Sequence, residues 1–476
     1  MDPLRLIPGA VGQNSIRALV LATAQGVPQL VVRPTDGGGG IPATIVPLPV
    51  SPAMQAELDR DGVRLFAASA SGLQPGTEYE LEGSHQGTTL RTRFRALPQD
   101  APGENLKVVV ASCYYDYFHR DAAYRATLES VWCKDAVFKF LVGDNLYLDV
   151  APDQRDITGG YRETVARYLR HFWHSGYADV LGRLPTFATW DDHEFWNNYP
   201  ERQCHLSRTS GSDRKDYIRA GTECLRFFQA ILNADLPPDD NLSYRIDNTP
   251  VVSFFAADVR SARTRFEDSP PRMMPDAALS TFEAWASSLP RPGVLVVGQP
   301  LWITEGGGTD YTPPNFADQY ERVWRAIAAA PHDILIVSGD VHHSRILEIG
   351  LTDTRVVYEF VTSPACHVPT VGSIISGDYG SQDRGKVEAP KSVSIGTNHG
   401  PALKPRPLRY LFGTSVPNTL GVLQFLSLPT GKVSVGCTFL DCLTQQPAQA
   451  ESLHASGATQ DPSYPVCHVE ELFRLS

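Results

Sequence analysis

The chain contains no apolar run of the roughly 18 residues that a membrane-crossing helix needs. It contains no CxxC pair among its eight cysteines (positions 113, 133, 204, 224, 366, 437, 442 and 467), which argues against a structural zinc ribbon. It carries no excess of positive charge. The formal net charge of −11 speaks against nucleic acid or an anionic membrane as partner. An anionic substrate stays open, because bound metal ions reverse a local field. There is no internal repeat. The N-terminus, MDPLRLIPGAVGQNSIR, lacks a charged start followed by an unbroken apolar core, so it does not read as a secretory signal. The expected location is therefore cytoplasmic, or periplasmic or secreted if the chain was trimmed. The thiols are expected to be reduced and buried. Cys204 and Cys224, which flank a helical stretch, are the candidates for a pair. Nothing in the sequence indicates an oligomeric state.

What is present is a chain of ordinary globular composition, 476 residues long, enough for two domains or more. Residues 1–101 read as a small all-β sandwich. SIRALVLATA, QLVVRPT, ATIVPLPV, GVRLFAASA, TEYELEG and TTLRTRFRAL are short runs separated by turn residues. LQPGTEYELEG resembles the corner of a fibronectin-III-like sandwich, with Tyr79 packed near it. LPQDAPGEN is a linker. Residues 102–440 alternate strand-like and helical runs, the pattern of an α/β domain. The interval from Asp144 to Asp191 is long enough for one long crossover helix. Residues 370–415, rich in Gly, Pro, Ser and Lys, are expected as surface loops near the site, and 441–476 as a loosely attached C-terminal extension.

Four polar clusters stand at the ends of apolar runs: Ser112-Cys113, Gly143-Asp144-Asn145-Leu146-Tyr147, Asp191-Asp192-His193-Glu194, and Gly339-Asp340-Val341-His342-His343. The runs before them read as buried strands, and open α/β sheets place their ligands at the carboxyl ends of strands. Carboxylates, imidazoles, a thiol and a phenol gathered there suit a charged metal centre and are costly to bury unpaired. Asp144 can bridge two cations or cap a helix. Tyr147 is a ligand for a hard ferric ion or a packed tyrosine. Asp340 and His342, on alternate positions of a strand extension, would share a face, with His343 turned away. Cys113 is a thiolate ligand or a small buried residue. Asn197 and Asn198 offer amide oxygens to a hard cation. Asp258, Arg260 and Arg263 could hold an oxyanion or form a structural ion pair.

The ordered set SC, GDxxY, WDDHE followed by NN, DxR and SGDxHH resembles the PhoD-type alkaline phosphatases and phosphodiesterases of the calcineurin-like metallophosphoesterase superfamily, over about residues 106–440. The resemblance implies a four-layer α/β/β/α sandwich behind the fibronectin-III-like front domain. It implies a multinuclear centre of Fe(3+) with Ca(2+), with Zn(2+) or Mn(2+) as alternatives. On this mapping Cys113, Asp144, Tyr147 and His342 surround the ferric ion, with Asp144 as the bridge. Asp192 holds a second cation, with Asp340 and either Asn197 or Asn198 near it. His193 faces the phosphate as hydrogen-bond donor or general acid, and Arg162 is a further phosphate contact. Asn418 stands where the family has an Asn before its last strands. The implied activity is hydrolysis of a small phosphate mono- or diester by a metal-activated hydroxide. The competing readings are a non-catalytic metal-binding or adhesion module, a thiol hydrolase using Cys113, and a diesterase restricted to phospholipid or polymer substrates. The tail after Asp441 matches no motif of the family, and the twin-arginine export signal common there is missing.

Overall fold

The computed structural model of the protein describes all residues except 1, 100, 102, 116–119, 150–159, 203–208, 238–240, 247, 309, 352–354, 367–405, 415, 451–458 and 461–465. The Cys204–Cys224 pairing and the loops expected before residue 406 lie outside the described residues.

Residues 4–95 form two four-stranded antiparallel sheets. One runs in the order Leu4–Val11, Ser15–Thr23, Val63–Ser71, Thr44–Pro47. The other runs Ile41–Pro42, Gln29–Pro34, Glu78–His85, Thr88–Arg95. Tyr79 is buried at the corner, its hydroxyl accepting the Gln74 N–H at 2.7 Å, which is how this sandwich type fixes its chain reversal. The first strand carries Pro8, which an edge strand tolerates at a register shift. The all-β reading missed one helix, Pro52–Arg60. Its cues were local: Ser51 caps it by accepting from Met54 N, Pro52 starts it, and Met54 and Leu58 are buried one turn apart. Ser51 also donates to Glu223 at 2.7 Å, tying the sandwich to the rest of the molecule.

The remainder is a four-layer α/β/β/α sandwich. One sheet runs Thr186–Thr189, Phe138–Val142, Asn105–Ala111, Thr419–Ser427, Val433–Asp441, the first three strands parallel. The second runs Tyr244–Ile246, Ser253–Ala257, Gly293–Val297, Ile334–Ser338, Val356–Val361, Ser344–Gly350, Arg406–Thr414, Thr459–Gln460, with a parallel core of four strands from Ser253–Ala257 to Val356–Val361. Alternate residues face opposite layers. Val108, Val110 and Phe140 meet Phe254, Val294 and Val337 between the sheets, with Phe140 and Phe254 ring centroids 5.4 Å apart. Val109, Leu141 and Ala188 face one helical layer, and Leu295 and Ile336 face the helices Asp276–Ser287 and Ala317–Ala329. Strands covered on both faces are apolar throughout, which is why they are legible as unbroken runs. Each fully buried side chain of this kind stabilises the fold by about 1.5–3 kcal/mol.

Three expectations are corrected. The crossover between Asp144 and Asp191 is not one long helix: Gly160–Leu169 runs into a wider turn, Arg170–His174, and after extended Ser175 the short helix Tyr177–Leu181 follows. Lys139, fully buried mid-strand, donates to the Leu181, Arg183 and Leu184 carbonyls and so closes that helix's C-terminal end. Residues 406–414 are a strand, not a loop. The C-terminal segment is not loosely attached. His468–Leu475 pairs antiparallel with Val433–Asp441, and Phe473 stacks on Tyr358 of the other sheet at 3.7 Å between centroids.

Candidate metal centre

The parallel strands of both sheets deliver their next residues to one place. Ala111 is followed by Cys113, Val142 by Asp144, Thr189 by Asp191 and Asp192, Val297 by Gln299, Ser338 by Asp340 and Val361 by Ser363. Backbone hydrogen bonds stitch these loops together: Cys113 N to Gly143 O at 3.1 Å, Gly143 N to Thr189 O at 3.2 Å, and Gly339 N to Gly298 O at 3.1 Å.

The loops are strained where the chemistry is. Cys113, Asp144, Asp340 and His342 all have left-handed backbone, with φ of 57°, 52°, 71° and 49°. For residues with a Cβ this costs about 1–2 kcal/mol each. Such outliers persist only where surrounding structure holds them, and they cluster at functional sites. Glu194 does much of the holding. It is fully buried, and its carboxylate accepts from the backbone N–H groups of Asn145 (2.7 Å), Asp191 (3.0 Å) and Asp144 (3.1 Å).

Three ligand groups result, each with donor atoms within 4.8 Å of one another: Cys113, Asp144 and His342; Asp144, Asp192 and His193; and Asp191, Asp192 and Asp340. Asp144 and Asp192 are each shared by two groups, so the three are contiguous. Tyr147 joins the first, its hydroxyl 3.3 Å from Asp144 Oδ2 and 3.2 Å from His342 Nε2. Cys113 Sγ lies 3.5 Å from Asp144 Oδ2 and accepts from Ser112 and Ser363 hydroxyls at 3.2 and 3.1 Å. His193 Nδ1 lies 2.6 Å from Asp149 Oδ1, which leaves Nε2 as the nitrogen not engaged in that pair.

The charges are unbalanced. Asp144, Asp149, Asp191, Asp192, Glu194, Asp258 and Asp340 outnumber Arg260, Arg263 and His193. Burial pushes the carboxyls of Asp144 and Asp340 well above the usual range, and neighbouring acids add to this. Burial raises the Cys113 thiol to about 12, and the Tyr147 phenol also rises. Burial raises Asp192 too, but His193 and Arg260 outweigh it and hold the carboxyl below its usual range. For His193, burial opposes the imidazolium, yet Asp149, Asp192 and Asp144 overcome this and keep its pKa well above the ordinary value. Asp191 Oδ2 and Asp192 Oδ1 are buried without a hydrogen-bond partner among the described residues. Orphaned carboxylate oxygens beside other acids are what cations satisfy, so the donor set fits metal ions: soft and phenolic donors around Asp144, oxygen alone around Asp340.

Most sequence-predicted ligands thus come together: Cys113, Asp144, Tyr147, Asp192, Asp340 and His342, with the predicted proton donor His193 among them. The reasoning for Asp340 and His342 fails, however. The strand ends at Ser338, and two tight turns (Val341 N to Gly339 O, His342 N to Asp340 O) send the two side chains to different groups. His343 is buried, with neither ring nitrogen hydrogen-bonded among the described residues. The Asn197 N–H donates to Asp149 at 2.7 Å, and the Asn198 N–H donates to Asp192. Arg162 stands apart, exposed on the helix Gly160–Leu169, with no hydrogen bond or ion pair to the cluster among the described residues. Arg260 is a structural partner of Asp191 and the Tyr199 carbonyl, and Arg263 of the Val259 and Tyr311 carbonyls. Asn418 turns the chain into its strand at φ 63°. Sequence reasoning missed Asp149, Gln299 and Ser363, and assigned no role to Asp191. Gly298-Gln299 after VLVV repeats the strand–Gly–polar pattern of Gly143-Asp144 and was the available signal.

Fold and site together define an α/β/β/α sandwich carrying an N-terminal β domain and a cluster of residues able to hold metal ions. The solved structure of PhoD superposes with a TM-score of 0.61 over 96% of this chain and 93% of that chain, at 17% identity, and the chain has the PhoD fold. An amylomaltase from Corynebacterium glutamicum aligns at a TM-score of only 0.16 and 13% identity, which carries no argument. No family model and no curated protein matches the sequence.

Proposed function

We propose that the protein hydrolyses phosphate mono- or diesters with the help of several cations held by Cys113, Asp144, Tyr147, Asp192, Asp340 and His342, with Asp191 added and Asn197 or Asn198 near Asp192. The observation that carries this is the contiguity of three ligand groups through Asp144 and Asp192, with unpaired carboxylate oxygens, at the strand ends of a PhoD-like fold. When bound, the cations would neutralise these carboxylates, polarise a phosphoryl group and lower the pKa of a coordinated water.

The chain's own residues do the rest. Asp144 links two ligand groups. His193, its Nδ1 committed to Asp149 at 2.6 Å, presents Nε2–H as hydrogen-bond donor and general acid toward the leaving oxygen. Asp149, Asp192 and Asp144 raise its pKa above the ordinary histidine value, which favours the protonated form that donation requires. A ferric ion beside Asp144 suits the phenol of Tyr147, which as phenolate is a ligand for a hard trivalent cation, with the Cys113 thiol beside it. Calcium suits the oxygen-only group of Asp191, Asp192 and Asp340. Thiol catalysis by Cys113 is disfavoured by its raised pKa and full burial. The catalytic unit runs from about residue 102 to the C-terminus, because the last strands complete its sheets.

The test is hydrolysis of p-nitrophenyl phosphate and bis(p-nitrophenyl) phosphate by the metal-loaded protein. Activity on either that is abolished in Asp144→Asn supports the proposal. An Asp144→Asn variant as active as wild type, or a loaded wild type inert to both esters, overturns it.

A further inference from the structure

We propose that Gln299 is the positioning residue of Asp340, and that Arg263 fixes Gln299 in turn. The inference rests on the reading that Asp191, Asp192 and Asp340 hold a cation, but not on hydrolysis.

Gln299 is buried and spans two partners far away in sequence: Arg263 Nη2 donates to its Oε1 at 3.0 Å, and its Nε2 donates to Asp340 Oδ2 at 3.2 Å. A guanidinium has only donors, so the amide atom facing Arg263 must be oxygen and the one facing Asp340 must be nitrogen. The amide therefore has one permitted orientation. Arg263 cannot easily turn away, since Nε and Nη1 donate to the Val259 and Tyr311 carbonyls at 3.0 Å each and its guanidinium lies 5.0 Å over the Phe316 ring. The loop after Gln299 is pinned as well. Glu359, fully buried, accepts the backbone N–H groups of Leu301 and Trp302 at 2.7 and 3.0 Å. The bond from Gln299 fixes the orientation in which the Asp340 carboxylate meets Asp191 and Asp192. That matters because Asp340 sits at a strained φ of 71° with no helix or strand to orient it.

The experiment titrates the ion-free full chain with Mn(2+), counted by electron paramagnetic resonance, without any substrate. Gln299→Met should weaken one Mn(2+) site by about 10–100-fold and spare the others. Arg263→Lys should weaken the same site by less. If Gln299→Met does not fold, Arg263→Lys decides alone. Variants that fold and bind every Mn(2+) as tightly as wild type overturn the proposal, and so does equal weakening at all sites. A wild type that takes up no Mn(2+) overturns it together with the site. A wild type that binds Mn(2+) yet hydrolyses no ester overturns only the proposed function.

Discussion

Glu194→Gln changes one oxygen to an amide nitrogen, yet its effect should be large. The carboxylate accepts three backbone N–H groups, from Asn145 at 2.7 Å, Asp191 at 3.0 Å and Asp144 at 3.1 Å, plus a longer contact from Gln229 at 3.4 Å. In the less damaging orientation the new NH2 replaces Oε1 and strands the Asn145 N–H, at about 1–3 kcal/mol for a buried unsatisfied donor. The two bonds kept at the other oxygen change from charge-assisted to neutral, losing about 1 kcal/mol each. The expected loss is therefore about 3–5 kcal/mol when cations fill the site. Without cations the loss should be smaller, because removing a negative charge relieves repulsion with Asp191. The assay is urea unfolding followed by tryptophan fluorescence, with metal and in chelator. A loss under about 1 kcal/mol with metal present would refute the idea that Glu194 holds these loops.

In chelator, wild-type stability should fall as pH rises. Burial raises the folded Glu194 carboxyl to about 8, above the unfolded value, and Asp144 and Asp340 also rise. The folded state then binds more protons than the unfolded one, so the stabilisation is complete below about pH 4.5 and lost as pH climbs through about 8. Urea midpoints at pH 5 and 8 in chelator check this, and a flat or rising profile contradicts it. Asp149→Asn should lower the His193 pKa, because Asp149 is the strongest of the charges that raise it, and move the alkaline limb of the kcat profile down with it. An unmoved limb would separate His193 from proton donation. Gly339→Ala would drive a Cβ into the Ser112 side chain and the Val142 carbonyl, costing about 1–3 kcal/mol and loosening metal binding. Wild-type metal affinity in that variant would contradict the close packing of the loops.

The fold was legible where burial is two-sided. KVVVA, FKFLV and DILIVS announce themselves because parallel strands under helices have no polar face to keep. The clusters after them were legible for the same reason, since a strand end is where acids and imidazoles can be gathered from afar. Elements whose cues are weaker than their context were missed. Pro52–Arg60 hid among strands, and His468–Leu475 alternates too gently to announce itself as a strand. The turns at Asp340 and His342 depend on left-handed φ values that Asp and His tolerate better than most residues but do not dictate, so their division between two ligand groups could not be read in advance. Gln299 carried only the strand–Gly–polar signal, which marks a place but not a role: the role comes from Arg263 and Asp340, 36 and 41 residues away.

The metal content of the purified chain decides whether these loops form a metal centre. Mass-spectrometric elemental analysis, with a visible absorption spectrum, should find more than one cation per chain, including iron with a tyrosinate or thiolate charge-transfer band, and both should be lost in Asp144→Asn. A wild-type chain that binds no iron, calcium, zinc or manganese, even after dialysis against each, would contradict a metal centre.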